Sequence, residues 1–471
     1  MAAAAAAGRA RLRRVVARVA GRLPLTLPVL RAGHSIELLE SGQAYFPALE
    51  RAIDAARVEI HLETYILHDD DTARRVVAAL VRACGRGVAV RLAVDGFGTP
   101  RLSGEVASML AASPVELRIF RPESRPFSLD RRRLRRLHRK LVVIDAELAF
   151  IGGINLLDDC IDPNHGRLEH PRLDYAVAVR GPLVDDALQA MRHVWTALTP
   201  RALRKARIPA TKNHGSSVMQ VSAAIPAAGA PAAMVDAMAD RATVDPALVD
   251  RATADQATVD PATVGPAAGA PDDAALFFVG LRAKLLLRDN WRFRRTIERE
   301  YQDAIERAHR DILIANAYFF PGTRLRRALV AAATRGVRVT LLLQGRVEYR
   351  LQHYASQALY DELLAAGIRI VEYQTSFLHA KVAVIDEWAT VGSSNIDPFS
   401  LLLAREANVV IRHAGFAARL RACLEAAIAG GGHPVLARHH ARRALPVRVM
   451  NWFAFAMLRA GVALSGRASR Y

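Results

Sequence analysis

The stretch Leu137–Asn155, LHRKLVVIDAELAFIGGIN, decides how this chain is read. It sets a histidine, a lysine and an aspartate around the apolar run Leu141–Ile144. Residues i and i+2 of a strand share a face, so His138 and Lys140 point together, while the intervening residue and the apolar run are free to serve a core. The pattern returns at Leu378–Asn395, LHAKVAVIDEWATVGSSN, with His379, Lys381 and Asp386 in the corresponding places. The chain contains 60 arginines and only five lysines, and two of the five stand two residues after a histidine and five before an aspartate. Those two positions require a compact ammonium that arginine does not replace.

The repetition extends outward. AIDAARVEIHLETYILHDDDTARRVVAALVRACGRGVAVRLAVDGFG begins at Ala52, and AIERAHRDILIANAYFFPGTRLRRALVAAATRGVRVTLLLQGRVE begins at Ala304. Each reads as helix, apolar strand, helix, a turn at Arg86-Gly87 or Arg335-Gly336, and a second apolar strand. A further short strand follows in each, VELRIF from Val115 or IRIVEY from Ile368, and then one of the two His-Lys-Asp copies. The alternation predicts an internal duplication of α/β units around a buried, largely parallel sheet.

Composition sets the outer limits. At 471 residues the chain can build two or three domains. Its surplus of 19 positive charges draws it to polyanions, with nucleic acid and anionic membrane as the two candidates. Cys84, Cys160 and Cys423 have no CxxC spacing, so neither a disulfide framework nor a zinc site is expected. No run of about 18 apolar residues predicts a transmembrane helix, and the order of the N-terminal alanines and arginines does not predict a secretory signal.

The expected division is a basic amphipathic segment over 1–34, a first α/β domain over 35–205, a low-complexity Ala/Pro/Asp linker over 206–273, a second domain over 274–432 and an apolar and basic segment over 433–471. In the first segment Leu12, Val15, Val16 and Val19 share a helical face opposite Arg11, Arg14, Arg18 and Arg22. The linker lacks aromatics and repeats proline, which predicts disorder. In the last segment Trp452, Phe453 and Phe455 stand among apolar residues interrupted by Arg448, Asn451 and Arg459, a composition suited to a bilayer interface. The arginine cluster from Arg121 to Leu137 abuts the first motif and is expected to form a platform for anionic headgroups.

A histidine near its ordinary pKa can attack phosphorus or pass a proton, and a lysine beside it can hold a phosphoryl oxygen. One copy is half a site. Two copies facing each other across a pseudo-twofold supply a nucleophile and a general acid for one phosphodiester. Asn155 and Asn395, in GGIN and GSSN, follow turns of close backbone approach and could donate to the same oxygens. The second copy has one residue fewer between its aspartate and the glycine, so Asn395 is expected to sit differently from Asn155.

The paired HxKxxxxD motifs, each followed by Gly-Gly or Gly-Ser and then Asn, resemble the phospholipase D superfamily. More narrowly, LETYIL, VDGFG, RRLHRKLVVID, DYAVAVRGP, RDNWRFRRTIE, NAYFFPG and WATVGSSNIDPFSLLLAREANVVI resemble bacterial cardiolipin synthases of the B type, over most of the chain from about Ile36 to His413. The resemblance implies two duplicated α/β/α sandwich domains with pseudo-twofold symmetry and one shared active site. It implies metal-independent, cofactor-independent transfer of a phosphatidyl group between two phosphatidylglycerol molecules, giving cardiolipin and glycerol through a phosphohistidine. Lipid hydrolysis, nuclease action and phosphatidylethanolamine as co-substrate are the alternatives. Of the motif residues His138, Lys140, Asp145, His379, Lys381 and Asp386, it implies His138 as nucleophile and His379 as acid/base. Asp174 and Glu406 match the family's ring-orienting acids. Asp145 and Asp386 fall at strand ends and are expected to hold the structure together rather than to move protons. The expected partners are anionic phospholipid and a membrane surface, with no nucleic acid, and the expected location is peripheral, on the cytoplasmic face of the bacterial inner membrane. Nothing in the sequence speaks to oligomeric state.

Overall fold

A computed structural model of the chain describes residues 28–122, 135–198, 277–289 and 293–462. All of these belong to one compact unit. The expected N-terminal helix, the linker and most of the arginine cluster lie outside the described residues.

The first half runs β1 (Arg31–Glu40), β2 (Glu59–Thr64), β3 (Ala89–Asp95), β4 (Glu116–Phe120), β5 (Lys140–Ile144), β6 (Leu148–Gly152), a small hairpin of β7 (Ile161–Asp162) and β8 (Gly166–Arg167), and β9 (Tyr175–Arg180). The second runs β10 (Phe278–Arg288), β11 (Asp311–Asn316), β12 (Arg338–Gln344), β13 (Arg369–Tyr373), β14 (Lys381–Ile385), β15 (Trp388–Gly392), β16 (Glu406–Arg412) and β17 (Gly432–Pro434). Helices Asp71–Gly85 and Thr323–Thr334 cross from β2 to β3 and from β11 to β12, with apolar residues on the face that meets the sheet. Each stops at a glycine in the left-handed region, Gly87 at φ 83° and Gly336 at φ 89°, as the Arg-Gly turns require.

All strands except β7 and β8 form one 15-stranded sheet, in the order β17-β13-β12-β11-β14-β15-β16-β10-β1-β9-β6-β5-β2-β3-β4. The order is a palindrome about the antiparallel β1–β10 pair, apart from the added edge strand β17, so the duplication appears as a pseudo-twofold. The sheet is mixed rather than largely parallel. Only β2–β3, β3–β4, β11–β12 and β12–β13 pair in parallel. The reason lies in the motifs themselves: the short turns after Ile144 and Ile385 fold β5 back on β6 and β14 back on β15 as antiparallel hairpins.

Three apolar clusters make the layers. One covers the outer face of the first half beneath helices Ser41–Asp54 and Asp71–Gly85, and one the outer face of the second half beneath Thr296–Glu306 and Thr323–Thr334. The third is shared by the halves, with Leu141, Val143, Val177 and Val179 from one and Val382, Val384, Val409 and Ile411 from the other. Strands β6 and β9 pack against β15 and β16 there, which brings the two motif strands to a common seam.

Candidate active site

Both motif histidines lie just before their strands, where the chain is held by the opposite half. His138 N–H donates to the Arg405 carbonyl at 3.0 Å, and Arg405 N–H donates to the Arg136 carbonyl at 2.7 Å. In the mirror arrangement Leu173 N–H donates to the Phe377 carbonyl at 3.0 Å and His379 N–H to the Leu173 carbonyl at 2.8 Å. The preceding residues are pinned from within their own half: Leu137 N–H donates to Asp95 Oδ2 at 2.7 Å, and Leu378 N–H to Gln344 Oε1 at 2.8 Å.

This stitching carries the acids across. Nδ1 of His138 lies 3.2 Å from Oε2 and 3.0 Å from Oε1 of Glu406. Nδ1 of His379 lies 2.6 Å from Oδ2 of Asp174. Each imidazole is therefore oriented by the acid that follows the other motif in sequence. With Nδ1–H donating to the carboxylate, Nε2 of each ring is turned to the site, where it attacks when bare and gives a proton when protonated.

Lys140 Nζ donates to the His138 carbonyl at 2.9 Å and stands 3.3 Å from His138 Nε2. Lys381 Nζ donates to the His379 carbonyl and lies 3.7 Å from Asp174 Oδ2. Burial pulls Lys140 down to about 7, with the positive charge of Lys381 adding to it, and pulls Lys381 down to about 8 against the opposing pull of Asp174. Burial also pushes both imidazoles below their ordinary value and both lysines add to it; Glu406 opposes the fall at His138, and it is larger at His379. The ensemble is a largely buried, positively biased site, suited to a phosphodiester anion.

Asp145 and Asp386 stand apart from this chemistry. Each lies five positions beyond its lysine, past the end of the strand, about 16 Å along it. Asp145 accepts the N–H groups of Arg57, Val58 and Glu59 at 2.8, 2.7 and 3.0 Å, and Asp386 those of His309, Arg310 and Asp311 at 2.9, 3.0 and 3.1 Å. Both sit in the left-handed region, at φ 52° and 51°, which aspartate tolerates better than most residues. They lash the chain entering β2 and β11 to the motif hairpins.

The asparagines differ in their partners, though not through the shortened turn: Leu141 pairs with Ile151 and Val382 with Val391, so the missing residue is taken up within the hairpin turn. Asn155 Oδ1 accepts from Ile66 N–H at 3.1 Å, whereas Asn395 Oδ1 is buried with no partner among the described residues. Arg139, between His138 and Lys140, does not join an apolar core. It is buried with Glu63, its Nε and Nη2 donating to Oε2 at 2.9 and 2.6 Å, where the second half has Ala380 and Ala315.

Several residues at the site carry no sequence signal of their own. The Tyr65 ring packs 4.7 Å from that of His138 and 5.4 Å from Lys140 Nζ. Ser393 Oγ donates to Glu406 Oε2 at 2.5 Å, a contact that Gly153 cannot make in the first half. A Cβ at Gly153 would come within 2.2 Å of Asp174 Oδ1, so the shorter acid goes with glycine and the longer one with serine.

The cardiolipin synthase, PLD-like domain model matches residues 49–166 and 301–428, one copy in each half. The chain belongs to the phospholipase D superfamily, in its cardiolipin synthase family. Within that family, cardiolipin synthase B of Escherichia coli (strain K12) is 35% identical over 401 residues, covering 85% of this chain and 81% of the relative. Cardiolipin synthase A of Pseudomonas entomophila is 27% identical, covering 86% and 70%. Among solved structures, phosphatidylserine synthase of Haemophilus influenzae Rd KW20 superposes with a TM-score of 0.61 at 12% identity, covering 95% of this chain and 99% of that one, a likeness of fold.

Proposed function

We propose that the protein is a cardiolipin synthase that moves a phosphatidyl group from one phosphatidylglycerol to the hydroxyl of another, releasing glycerol. Nε2 of His138 attacks phosphorus while Lys140 and Lys381 hold the non-bridging oxygens. His379 enters the reaction as the imidazolium, its Nδ1–H held by Asp174; it gives its Nε2 proton to the leaving glycerol, then takes the proton of the acceptor hydroxyl as that oxygen displaces His138. The crossed acid–histidine pairs carry this reading, because they give one seam two imidazoles, each held through Nδ1 by a carboxylate of the other half.

We further place the protein at the surface of the inner membrane, on its cytoplasmic side. Helix Leu445–Val462 supports this placement. Leu445, Val449, Trp452 and Phe453 lie exposed along it, while Ala454 and Leu458 face inward. The helix packs on Arg350–Gln357, and its Phe455 ring lies 5.3 Å from Phe320 in the loop after β11. An apolar ridge with Trp and flanking Arg448 is the composition of an interfacial helix. No described helix is long and apolar enough to cross a membrane.

The test is to supply headgroup-labelled phosphatidylglycerol in mixed micelles to wild type, His138→Ala and His379→Ala. Cardiolipin and free glycerol from wild type alone uphold the reading. Phosphatidic acid as the sole product makes the protein a hydrolase.

A further inference from the structure

We propose that Arg405 anchors a phosphoryl-binding site of its own, beside Phe120 and apart from the reacting centre. The site takes a phosphate group, on a lipid headgroup or free, and it stands on contacts independent of the phosphatidyl-transfer reading.

Arg405 is the residue before Glu406, and successive side chains of extended chain turn to opposite faces. With Glu406 turned to His138, the Arg405 side chain takes the other face, where its Cζ lies 5.9 Å from the centre of the Phe120 ring. Arg121 Cζ lies 5.2 Å from the same ring. Arg405 is largely buried, yet among the described residues its guanidinium donates to no oxygen and enters no ion pair. The two acids that act on it do so from a distance: Glu63 is held by Arg139, and Asp289 accepts from Phe293 N–H at 2.9 Å. Burial pulls its pKa down to about 10, and the charge of Arg139 adds to the fall. Five N–H donors without an acceptor, in surroundings already positive, call for an anion, because a buried charge is kept only with a partner. A planar fork with a second guanidinium over the same ring suits a phosphoryl group, which presents several oxygens, better than a carboxylate.

The pseudo-twofold shows that the fold itself does not need this arginine. Leu173 gives its carbonyl to His379 N–H as Arg405 gives its own to His138 N–H, so the two residues are counterparts. Tyr373, at the end of β13, is likewise the counterpart of Phe120, at the end of β4. Leu173 and Tyr373 are packed into the apolar cluster that the halves share. Leucine therefore fills such a position, and arginine in its place costs the burial of a charge that a bound anion offsets. The charges that act most strongly on His138 and Lys140 come from within the reacting centre and from Asp95, not from Arg405, which sets this site apart from the reacting phosphorus. Arg405 lies far in sequence from the run Arg121–Leu137 yet meets its first residue at Phe120, which gives part of the basic surplus a defined place.

The experiment uses full-length protein carrying Lys140→Met and Lys381→Met, so that the reacting centre no longer offers phosphate its two ammoniums, and titrates it with inorganic phosphate by calorimetry at fixed ionic strength. This parent should bind one phosphate per chain. Arg405→Leu should weaken that binding by about 10- to 100-fold, and Arg405→Lys, which keeps the charge and loses the fork, by about tenfold. No binding in the parent, or binding that both substitutions leave unchanged, overturns the site. Without phosphate, Arg405→Leu should melt no lower than the parent, as the leucine at the counterpart position implies; a lower melt would show that the guanidinium already has its partner within the protein and would also overturn the site. Cosedimentation with phosphatidylcholine vesicles containing phosphatidylglycerol then assigns the source. A several-fold loss in Arg405→Leu that Arg405→Lys only partly restores makes the ligand a lipid headgroup, and unchanged cosedimentation makes it a free phosphate.

Discussion

Nδ1 of His379 and Oδ2 of Asp174 are 2.6 Å apart although 205 residues separate them in sequence. The acid belongs to the first half and the imidazole to the second. Asp174→Asn and Glu406→Gln should each lower turnover by a factor on the order of 10² to 10⁴ by spoiling the tautomer of the opposite half's histidine. They should differ on a phosphatidyl p-nitrophenyl ester, whose leaving group needs no proton. Asp174→Asn should then regain the p-nitrophenol burst, and Glu406→Gln should not. A burst in Glu406→Gln alone would exchange the roles of the histidines.

The motif aspartates should behave as structural residues. Asp145→Ala strands three N–H groups and puts alanine at φ 52°, and should cost about 2–3 kcal/mol. Asp386→Ala should cost a similar amount for the same reason. Thermal melts should fall in both, while the pH profile of the folded fraction stays that of wild type. A displaced pH optimum with an unchanged melt would give these carboxylates a chemical role.

The lysines should set opposite pH trends for activity and stability. With Lys140 near 7 in the fold and an ordinary value of 10.5, the unfolded chain binds more protons between these limits, so stability rises with pH across them. The ammonium that holds substrate is lost over the same range, so kcat/KM for phosphatidylglycerol should fall above about pH 7. Lys140→Met should abolish turnover yet raise Tm at neutral pH by a few degrees, on the order of 1 kcal/mol. A lower Tm in that variant would mean that its bond to the His138 carbonyl outweighs the burial of its charge.

Replacing Trp452 and Phe453 with aspartate should free the protein from phosphatidylglycerol vesicles without altering its melt. Each side chain is about half exposed, so the fold loses little. An inserted apolar side chain is worth about 1.5–3 kcal/mol, enough to cut vesicle partitioning at least tenfold for each. Cosedimentation equal to wild type would remove this helix from the membrane contact.

Much of this was legible in the residues. The strand and helix alternation from Ala52 and Ala304 is written in apolar periodicity, and lysine's rarity singled out Lys140 and Lys381. The one-residue deficit after Asp386 pointed to a shift of Asn395, but the hairpin turn absorbs it and the strand register is the same in both halves. What sequence could not carry was direction across the seam. Asp174 and Glu406 follow their own motifs in the chain and serve the opposite ones, and only the stitching of Leu173 to Phe377 and of Arg405 to Arg136 decides it. Parallel order was overestimated because buried strands look alike whichever way they run. Arg139 misled for a related reason, since a core-facing charge is acceptable only when a partner such as Glu63, remote in sequence, is waiting.

The palindromic strand order has an ancestral corollary. A single unfused half would hold one histidine and the acid for somebody else's, so two identical copies about a true axis would yield one centre per dimer, not two. In that assembly the attacking and proton-bearing imidazoles would be one residue type in one surrounding, each obliged to suit both tasks. Joining the copies in a single polypeptide lets the two surroundings mutate separately. Asp174 with Gly153 against Glu406 with Ser393, and Asp95 against Gln344, are differences that only a fused descendant can keep.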